Sequence, residues 1–151
     1  MSGRGKLRII AGEWRGRKLD VFDAPGLRPT PDRVRETLFN WLQQDIVGAR
    51  CLDLFAGTGI LGFEALSRGA KEVVSVEANA MLIGAIKKHA AMLGCKQHVI
   101  QHADALSWLK QEQGAFDLVF LDPPFNQGLV EKACTLIKEQ ALLNAGVIVY
   151  I

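Results

Sequence analysis

The sequence has few of the residues on which metal sites, disulfide frameworks and membrane spans depend. It contains three histidines and three cysteines in 151 residues, and Cys51, Cys95 and Cys134 are too widely spaced for a metal-ligand pattern. An odd, scattered set of cysteines is typical of reduced thiols, so we expect ordinary core residues and a cytoplasmic location. No apolar run is long enough to span a bilayer, and we expect no membrane partner.

The chain as a whole has no strong excess of positive or negative charge, but its charges are unevenly distributed. The net charge is +2, yet residues 1–35 hold nine Lys/Arg against four Asp/Glu. The rest of the chain is therefore mildly acidic. A basic N-terminal stretch on an acidic body suggests a polyanionic partner, most simply nucleic acid. A solvated charged surface would give the same composition.

Residues 7–21 predict a β-hairpin, because two short apolar runs flank a centre of Gly, Arg and Trp. The basic side chains of this segment could contact phosphates: Arg8, Arg15, Arg17 and Lys18. Trp14 could stack on a base, although a ring that simply covers the hairpin is no less consistent with the pattern. We divide the chain into a basic N-terminal arm, residues 1–26, and a domain over residues 27–151.

The segment after the arm predicts a helix. Thr30 is a good N-cap and Pro31 a good first helical residue. Arg33 and Arg35 are expected to point away from the core, as surface charge or as contacts to an anionic ligand or RNA. The residues expected on the buried face recur at helical spacing: Val34, Leu38, Trp41 and Leu42.

The chain is organised around a glycine turn. Residues 51–56 read as a buried strand and residues 59–68 as a helix. Gly57 and Gly59 let the backbone turn tightly between them and let a ligand approach the turn's N–H groups. The positive end of the helix dipole points at the same place. This pattern indicates a site for a nucleotide-type cofactor.

Strands and helices alternate along the rest of the chain. Strands are expected at 72–77, 97–101, 116–121 and 146–151, and helices at 79–93, 105–110 and 129–143. The helix at 79–93 should be capped by Asn79 and should turn four residues inward: Leu82, Ile83, Ile86 and Met92. Such alternation predicts a doubly wound α/β fold with a mostly parallel sheet. Because a bare apolar edge aggregates, we expect natural residues beyond Ile151 to pair with or cover the last strand.

The glycine turn alone leaves the cofactor open. Gly57, Gly59 and Gly62 satisfy the dinucleotide pattern G-x-G-x-x-G, with Glu77 twenty residues after the first glycine. However, Asp53 lies in the strand before the turn, where an anion disfavours a pyrophosphate and suits a cationic ligand. A dinucleotide site would also leave the segment at 122–125 without a role.

Asp122-Pro-Pro-Phe125 is the most specific pattern in the chain. It follows a buried strand, at the sheet edge where open α/β folds bind their ligands. The prolines stiffen the turn, so the carboxylate and a neighbouring carbonyl would form a fixed pair of acceptors for an exocyclic amine. Phe125 would supply a plane for stacking a flipped-out base. A plain strand-to-helix turn capped by Asp122 is the alternative.

These motifs resemble those of the RsmD family, bacterial 16S rRNA guanine-N2 methyltransferases that use S-adenosylmethionine. Three blocks carry the resemblance: Arg8-Ile-Ile-Ala-Gly with Arg15-Gly-Arg17, Arg28-Pro-Thr-Pro-Asp-Arg-Val-Arg-Glu-Thr-Leu-Phe-Asn40, and Asp53-Leu-Phe-Ala-Gly-Thr-Gly59 with Asp122-Pro-Pro-Phe125. The likeness covers essentially the whole chain. It departs at the C-terminus, where the antiparallel strands that complete the family's Rossmann-like sheet are missing.

The resemblance implies roles for individual residues. Catalysis would involve Asp122, Pro123, Pro124 and Phe125. Glu77 would bind the ribose hydroxyls of the cofactor. The other cofactor contacts would come from Thr30, Asp53, Phe55, Gly57, Gly59, Ala78, Asp104 and Ala105. RNA contacts would come from the arm and from Arg28, and no metal would be needed.

The expected activity is methyl transfer from S-adenosylmethionine to a guanine N2 amine. The substrate would be 16S rRNA or an assembly intermediate of the small ribosomal subunit, and we expect a monomer. Adenine-N6 methylation of DNA or RNA is the alternative within enzymes, because an acid before Pro-Pro-aromatic suits any exocyclic amine. A nucleotide-binding module without catalysis is the alternative outside them, and a dehydrogenase is a distant third.

Overall fold

The computed structural model describes residues 3–22, 27, 30–111, 114–123 and 128–150. Arg28, Pro124 and Phe125, which are predicted site residues, lie outside the described residues. Seven strands and six helices follow one another in the described part: β1 Gly3–Arg8, β2 Lys18–Phe22, α1 Asp32–Trp41, α2 Gln43–Ile46, β3 Arg50–Asp53, α3 Ile60–Ser67, β4 Glu72–Glu77, α4 Ala80–Leu93, β5 His98–His102, α5 Ala105–Leu109, β6 Phe116–Leu121, α6 Leu129–Glu139 and β7 Leu143–Tyr150.

Five of the strands form one parallel sheet in the order β5-β4-β3-β6-β7. The strand order reverses beside β3, the strand that precedes the glycine turn. Open α/β sheets bind ligands beyond the carboxyl ends of the strands at such a switch point. The predicted doubly wound fold is therefore confirmed, and the topology places the site beyond β3, β4 and β6.

Apolar side chains alternate between the two faces of the sheet and pack into two buried clusters. Cys51, Leu118 and Phe120 face the hairpin, α1, α3 and α4. Leu52 and Val119 face α5 and α6. Because both faces are covered, strands such as β6 are mostly apolar, which is why sequence reasoning placed β4 and β6 at their observed bounds.

The N-terminal strands form the predicted hairpin, with Leu7 opposite Leu19 and Arg8 opposite Lys18. The loop that joins them is held against α3. Ser67 Oγ accepts a hydrogen bond from the Trp14 N–H at 2.9 Å and donates one to the Ala11 carbonyl at 2.7 Å. Ile9, Trp14 and Leu19 belong to the same buried cluster as α3 and the sheet. The hairpin is thus packed onto the body of the protein.

Two further contacts dock the hairpin on its other side. The backbone N–H of Asp20 donates to His89 Nε2 of α4 at 3.2 Å, and the Arg17 guanidinium donates to the Met92 carbonyl at 3.4 Å. Burial lowers the pKa of His89, which keeps the ring neutral and able to accept this bond.

The predicted orientation of α1 is right only in part: Leu42 is buried and Leu38 packs against the core as predicted, but the other two residues are not buried. Arg35 and Phe39 are its buried residues, whereas Val34 and Trp41 are 45% and 81% exposed. The reason is that Arg35 finds a buried carboxylate and main-chain carbonyls as partners, which no local pattern reveals. The helix also begins one residue later than predicted. Its N-cap is Pro31, without a side-chain cap, so Thr30 does not have the predicted capping role.

Smaller differences concern where elements end. β3 stops at Asp53, because residues 54–56 already belong to the turn. α6 ends at Glu139, four residues early, because β7 begins at Leu143. In α4, Asn79 caps the helix and Leu82, Ile83 and Ile86 are buried as predicted, but Met92 is exposed. In the part of the chain that the structure describes, no helix is both long and apolar enough to cross a membrane.

Candidate functional site

A cleft of about 260 Å³ opens at the carboxyl ends of β3, β4, β5 and β6, a volume slightly below the usual range for small-molecule sites. Each strand end contributes to its wall: Phe55 and Gly57 follow β3, Ala78 follows β4, Asp104 follows β5, and Asp122 follows β6. The parallel sheet therefore gathers into one place groups that are far apart in sequence.

Three N–H groups of the glycine turn have partners inside the protein. Gly57 donates to Glu77 Oε1 at 2.8 Å, Gly59 donates to the Ala56 carbonyl at 2.9 Å, and Ile60 donates to Thr58 Oγ1 at 3.2 Å. The Gly57 and Gly59 N–H groups thus have partners within the protein, and their contact with a ligand stays a prediction. A pyrophosphate cradle needs such donors free, so the turn does not favour a dinucleotide.

Asp53 lies beneath the turn and is 1% exposed. The Gly62 N–H, in the first turn of α3, donates to its carboxylate, which takes the place where an anionic ligand would sit at a helix N-terminus. Its second oxygen, Oδ2, has no hydrogen-bond partner among the described residues. Burial first, and then the nearby negative charges of Asp122 and Glu77, raise the pKa of Asp53 to about 7.

Glu77 is the last residue of β4, and its carboxylate connects the glycine turn after β3 with the turn after β4. Oε1 accepts from the Gly57 N–H, and Oε2 accepts from the Asn79 N–H at 2.9 Å. These bonds fix the orientation of the carboxylate. Each oxygen keeps further acceptor capacity, so Glu77 can also receive hydrogen bonds from a ligand in the cleft.

Asp104 and Ala105 form the wall next to β5. Asp104 caps α5 as predicted, with Oδ2 accepting from the Ser107 N–H at 3.1 Å, and its side chain remains exposed at the cleft. Apolar side chains complete this part of the cleft: Leu82, Ala103 and Leu106. An exposed carboxylate beside apolar walls suits a flat ring that carries an amino group.

Asp122 and Pro123 form the opposite wall, directly after β6. Asp122 is half-buried and Pro123 is buried. Burial raises the pKa of Asp122. Because Asp122 and Glu77 lie close enough to Asp53 to interact with it electrostatically, the cleft is lined by several acids and favours a ligand with positive charge.

Most of the predicted cofactor residues line this cleft, namely Thr30, Phe55, Gly57, Glu77, Ala78, Asp104 and Ala105. Asp53 and Gly59 do not. Position 59 favours glycine because its φ of +81° is left-handed and because a Cβ there would lie 3.1 Å from the Ile86 side chain. Sequence reasoning missed several lining residues, and only their position beside the strand ends could have indicated them: Leu27, Asn79, Leu82, Ala103, Leu106 and Leu129.

The predicted RNA-contacting residues are spread over the hairpin. Arg15, Arg17 and Lys18 are exposed, and Arg8 is exposed but pairs with Asp32 at 3.2 Å. Trp14 is only 8% exposed and packs in the core. This burial favours the alternative in which the ring covers the hairpin over the alternative in which it stacks on a base.

Known proteins match this chain over most of their length. The family described as conserved hypothetical protein 95 matches residues 7–151. A curated relative, ribosomal RNA small subunit methyltransferase D of Escherichia coli (strain K12), is 47% identical over 150 residues, which cover 99% of this chain and 76% of the relative. The chain belongs to the ribosomal RNA small subunit methyltransferase D family. The resemblance seen in the motifs is thereby confirmed.

Other members of the methyltransferase D family are equally similar. The protein of that name from Haemophilus influenzae is 48% identical over 154 residues, covering 99% of this chain and 80% of the relative. A solved structure of the Escherichia coli protein yhhF, described provisionally as a methyltransferase, superimposes with a TM-score of 0.88 at 45% identity. That match covers 97% of this chain and 81% of yhhF. The fold predicted from sequence is thus also the fold of solved relatives.

Proposed function

We propose that the protein transfers a methyl group from S-adenosylmethionine to the exocyclic N2 amine of a guanine in 16S ribosomal RNA. The observation that carries this proposal is the meeting of Glu77, Asp104 and Asp122 in one cleft. Family membership supports the reaction class, because the curated relatives are named as methyltransferases of the small ribosomal subunit RNA.

The residues present fit S-adenosylmethionine. Its sulfonium and ammonium groups are cationic, and Asp53 offers a buried, incompletely bonded carboxylate beneath a cleft that also contains Glu77 and Asp122. Glu77 is oriented to receive two ribose hydroxyls. Asp104 can receive the adenine amino group, with Leu82 and Leu106 packing on the ring. When bound, the cofactor supplies a methyl group on a positively charged sulfur.

Asp122 and the carbonyl of Pro123 act on the amine. The N2 lone pair of guanine is delocalised into its ring, which makes the nitrogen a poor nucleophile. If the two acceptors bind the two amine hydrogens, the lone pair is localised and directed into the cleft. Methyl transfer would form a carbon–nitrogen bond as the carbon–sulfur bond breaks, with S-adenosylhomocysteine as the leaving group, and Asp122 or solvent would take one amine proton. Most of the catalysis is alignment and placed charge.

The arm is proposed to hold the RNA. Arg15, Arg17 and Lys18 are exposed on the docked hairpin and can contact phosphates. Arg8 and Arg28 belong to the same proposed contact. The substrate is proposed to be 16S rRNA or a small-subunit assembly intermediate, bound by a monomer in the cytoplasm. Methylation of adenine N6 would use the same acceptors, Asp122 and the Pro123 carbonyl. It would differ only in that adenine, rather than guanine, enters the cleft.

Calorimetric titration of S-adenosylhomocysteine and NAD, side by side, tests the cofactor. We expect binding of S-adenosylhomocysteine and none of NAD, because the Gly57 and Gly59 N–H groups have internal partners and the acids beside the turn disfavour a pyrophosphate. Tighter binding of NAD would contradict the proposal. A chain that binds neither would favour a module without methyl transfer.

A further inference from the structure

Arg35 is a charged residue that is fully buried under the N-terminal hairpin. Its guanidinium donates in four directions. Nε bonds the Thr30 carbonyl at 2.9 Å, and Nη1 bonds the Arg8 carbonyl at 2.8 Å and Glu64 Oε1 at 3.3 Å. Nη2 pairs with Asp32 Oδ1. Every side of the charged group is therefore matched by an acceptor, as a buried charge requires.

Stability alone does not explain such a group. Buried ion pairs seldom stabilise a fold more than apolar residues of the same size, because desolvation offsets the attraction. A guanidinium instead supplies rigid, planar geometry, with several donors at fixed angles. Two of its bonds go to main-chain carbonyls, those of Thr30 and Arg8, and so hold backbone rather than side chains.

Thr30 connects this arrangement to the cleft. It is buried and lines the cleft together with Leu27, whose side chain packs over the glycine turn, 3.1 Å from where a Cβ on Gly57 would lie. The main-chain carbonyl of Thr30, and not its side chain, accepts the hydrogen bond from Arg35. Arg35 consequently fixes the main chain at the point where this wall of the cleft meets α1.

Glu64 connects the same guanidinium to α3. Its carboxylate also accepts from the Ile10 N–H at 2.9 Å and the Ala11 N–H at 3.2 Å, and it pairs with Arg68 at 2.8 Å. The helix that carries Glu64 begins at the glycine turn. One buried ion pair thus links the main chain at Thr30, which lines the cleft, to the helix that follows the glycine turn.

We propose that Arg35 is a positioning residue for the cofactor, which sets the main chain at Thr30 against the turn that begins α3. This role rests on the proposed function, in that the ligand is S-adenosylmethionine. Arg35 does not touch the cleft itself and acts through Thr30 and Glu64.

Arg35→Lys tests the role, because lysine keeps the positive charge and loses the planar fork. Arg50→Lys is the matched control. Arg50 bonds Glu72 Oε1 at 2.8 Å and the Ala115 carbonyl at 2.9 Å and lies over the Phe116 ring, at the opposite end of the sheet. The readouts are the Kd of S-adenosylhomocysteine by calorimetry, the thermal midpoint, and kcat and KM for S-adenosylmethionine.

We expect Arg35→Lys to raise the Kd and KM about tenfold, the effect of withdrawing one charge-assisted hydrogen bond, with a smaller change in kcat. Arg50→Lys should lower the thermal midpoint but leave the Kd within about twofold. An unchanged Kd in Arg35→Lys overturns the proposal. An equal rise in both variants does so too, because it would reflect general loss of stability.

Asp32→Asn provides a second variant if Arg35→Lys does not fold. Asp32 is partly exposed and holds the outer edge of the guanidinium, so this change should loosen Arg35 without burying a bare charge. We expect about a threefold weaker Kd, and an unchanged value counts against the role of Arg35.

Binding of S-adenosylhomocysteine to the unsubstituted chain distinguishes failure of the proposed function from failure of the proposed role of Arg35. If it binds no S-adenosylhomocysteine, the proposed function fails, and the role of Arg35 fails with it. If the parent binds S-adenosylhomocysteine and the variants bind it equally well, only the role of Arg35 is overturned.

Discussion

At the scale of single residues, the acids around the cleft have different environments, and we propose different roles for them. Asp53 is buried with one oxygen that has no partner among the described residues, Glu77 is held by two backbone N–H groups, and Asp122 is half-buried at the end of β6. Groups whose surroundings differ in this way divide the work of binding and proton transfer. Two predictions follow from their individual settings.

Asp53→Asn should change how stability depends on pH in the absence of cofactor. The folded-state pKa of about 7 lies above the ordinary 3.8, so the folded chain binds the extra proton between those values. The free energy of unfolding of the parent should therefore fall as pH rises from about 4 to about 7. At about 1.36 kcal/mol per pKa unit, the effect is at most about 4 kcal/mol.

Urea unfolding at pH 5 and pH 8 measures this effect. Asp53→Asn should be more stable than the parent at pH 8, with a smaller pH dependence. Asp45→Asn, at an exposed position of α2, is the control and should follow the parent. The same pH dependence in Asp53→Asn and the parent would show that residue 53 does not take up the proton.

Glu77→Gln should weaken cofactor binding while it preserves the turn. The amide oxygen can still accept from the Gly57 N–H, but the amide nitrogen can accept neither from the Asn79 N–H nor from a ribose hydroxyl. We expect the Kd of S-adenosylhomocysteine to rise roughly tenfold or more, since bonds to a charged group are worth about 1.5–3 kcal/mol. Glu72→Gln, at the other end of β4, should bind normally, and equal affinities in all three chains would refute the assignment.

At the scale of elements, the hairpin loop is held on α3 by a close backbone contact. Gly12 has φ +89°, and a Cβ there would lie 1.9 Å from the Ser67 carbonyl oxygen. Gly16, in the same loop, has φ +84° and open space around it. The two glycines share the conformational requirement and differ only in packing.

Gly12→Ala should therefore destabilise the protein more than Gly16→Ala. The left-handed conformation costs an alanine about 1–2 kcal/mol at either position. At position 12 the clash adds about 1–3 kcal/mol, because the loop must leave α3. Urea unfolding of both variants measures the difference. Equal destabilisation would mean that the loop is not pressed against Ser67.

The elements also show how far sequence reasoning reached. β4, β6 and the caps Asn79 and Asp104 were predicted well, because apolar runs and short polar caps are local signals. The buried face of α1 is predicted only in part, because Arg35 also lies on it and its partner Glu64 is 29 residues away. The position of the cleft could be predicted, because ligand sites lie at the carboxyl ends of parallel strands. The bond from Arg35 to the Thr30 carbonyl could not, because every residue has a main-chain carbonyl and the sequence does not show which one is bound.

At the scale of the whole molecule, the hairpin and the cleft are fixed relative to each other through α3 and α4. Basic side chains on the hairpin are thus carried on the same face of the sheet as α3 and α4. The opposite face of the sheet is covered by α5 and α6, and this face carries exposed lysines of its own. The positive charge on the hairpin can therefore be changed without changing the charge on the α5 and α6 face, and the reverse is also true.

Neutralising Arg15, Arg17 and Lys18 to Gln should weaken RNA binding and flatten its salt dependence. Removing each phosphate interaction should lower the slope of log K against log salt by about 0.7–0.9. The control removes the same charge from the other face, with Lys110, Lys132 and Lys138 changed to Gln. Filter binding across a salt series compares them. If both triple variants bind RNA with equally reduced affinity, the hairpin has no special part in binding.

Methyl transfer to small-subunit RNA tests the central claim most directly. The protein is incubated with 16S rRNA, or with small-subunit particles, and methyl-labelled S-adenosylmethionine, and the RNA is then digested to nucleosides. We predict label in N2-methylguanosine with the parent chain, and a decrease in label of about 10²–10⁴-fold in Asp122→Ala with nearly unchanged Kd for S-adenosylhomocysteine. Label in N6-methyladenosine, or full activity in Asp122→Ala, would contradict the account.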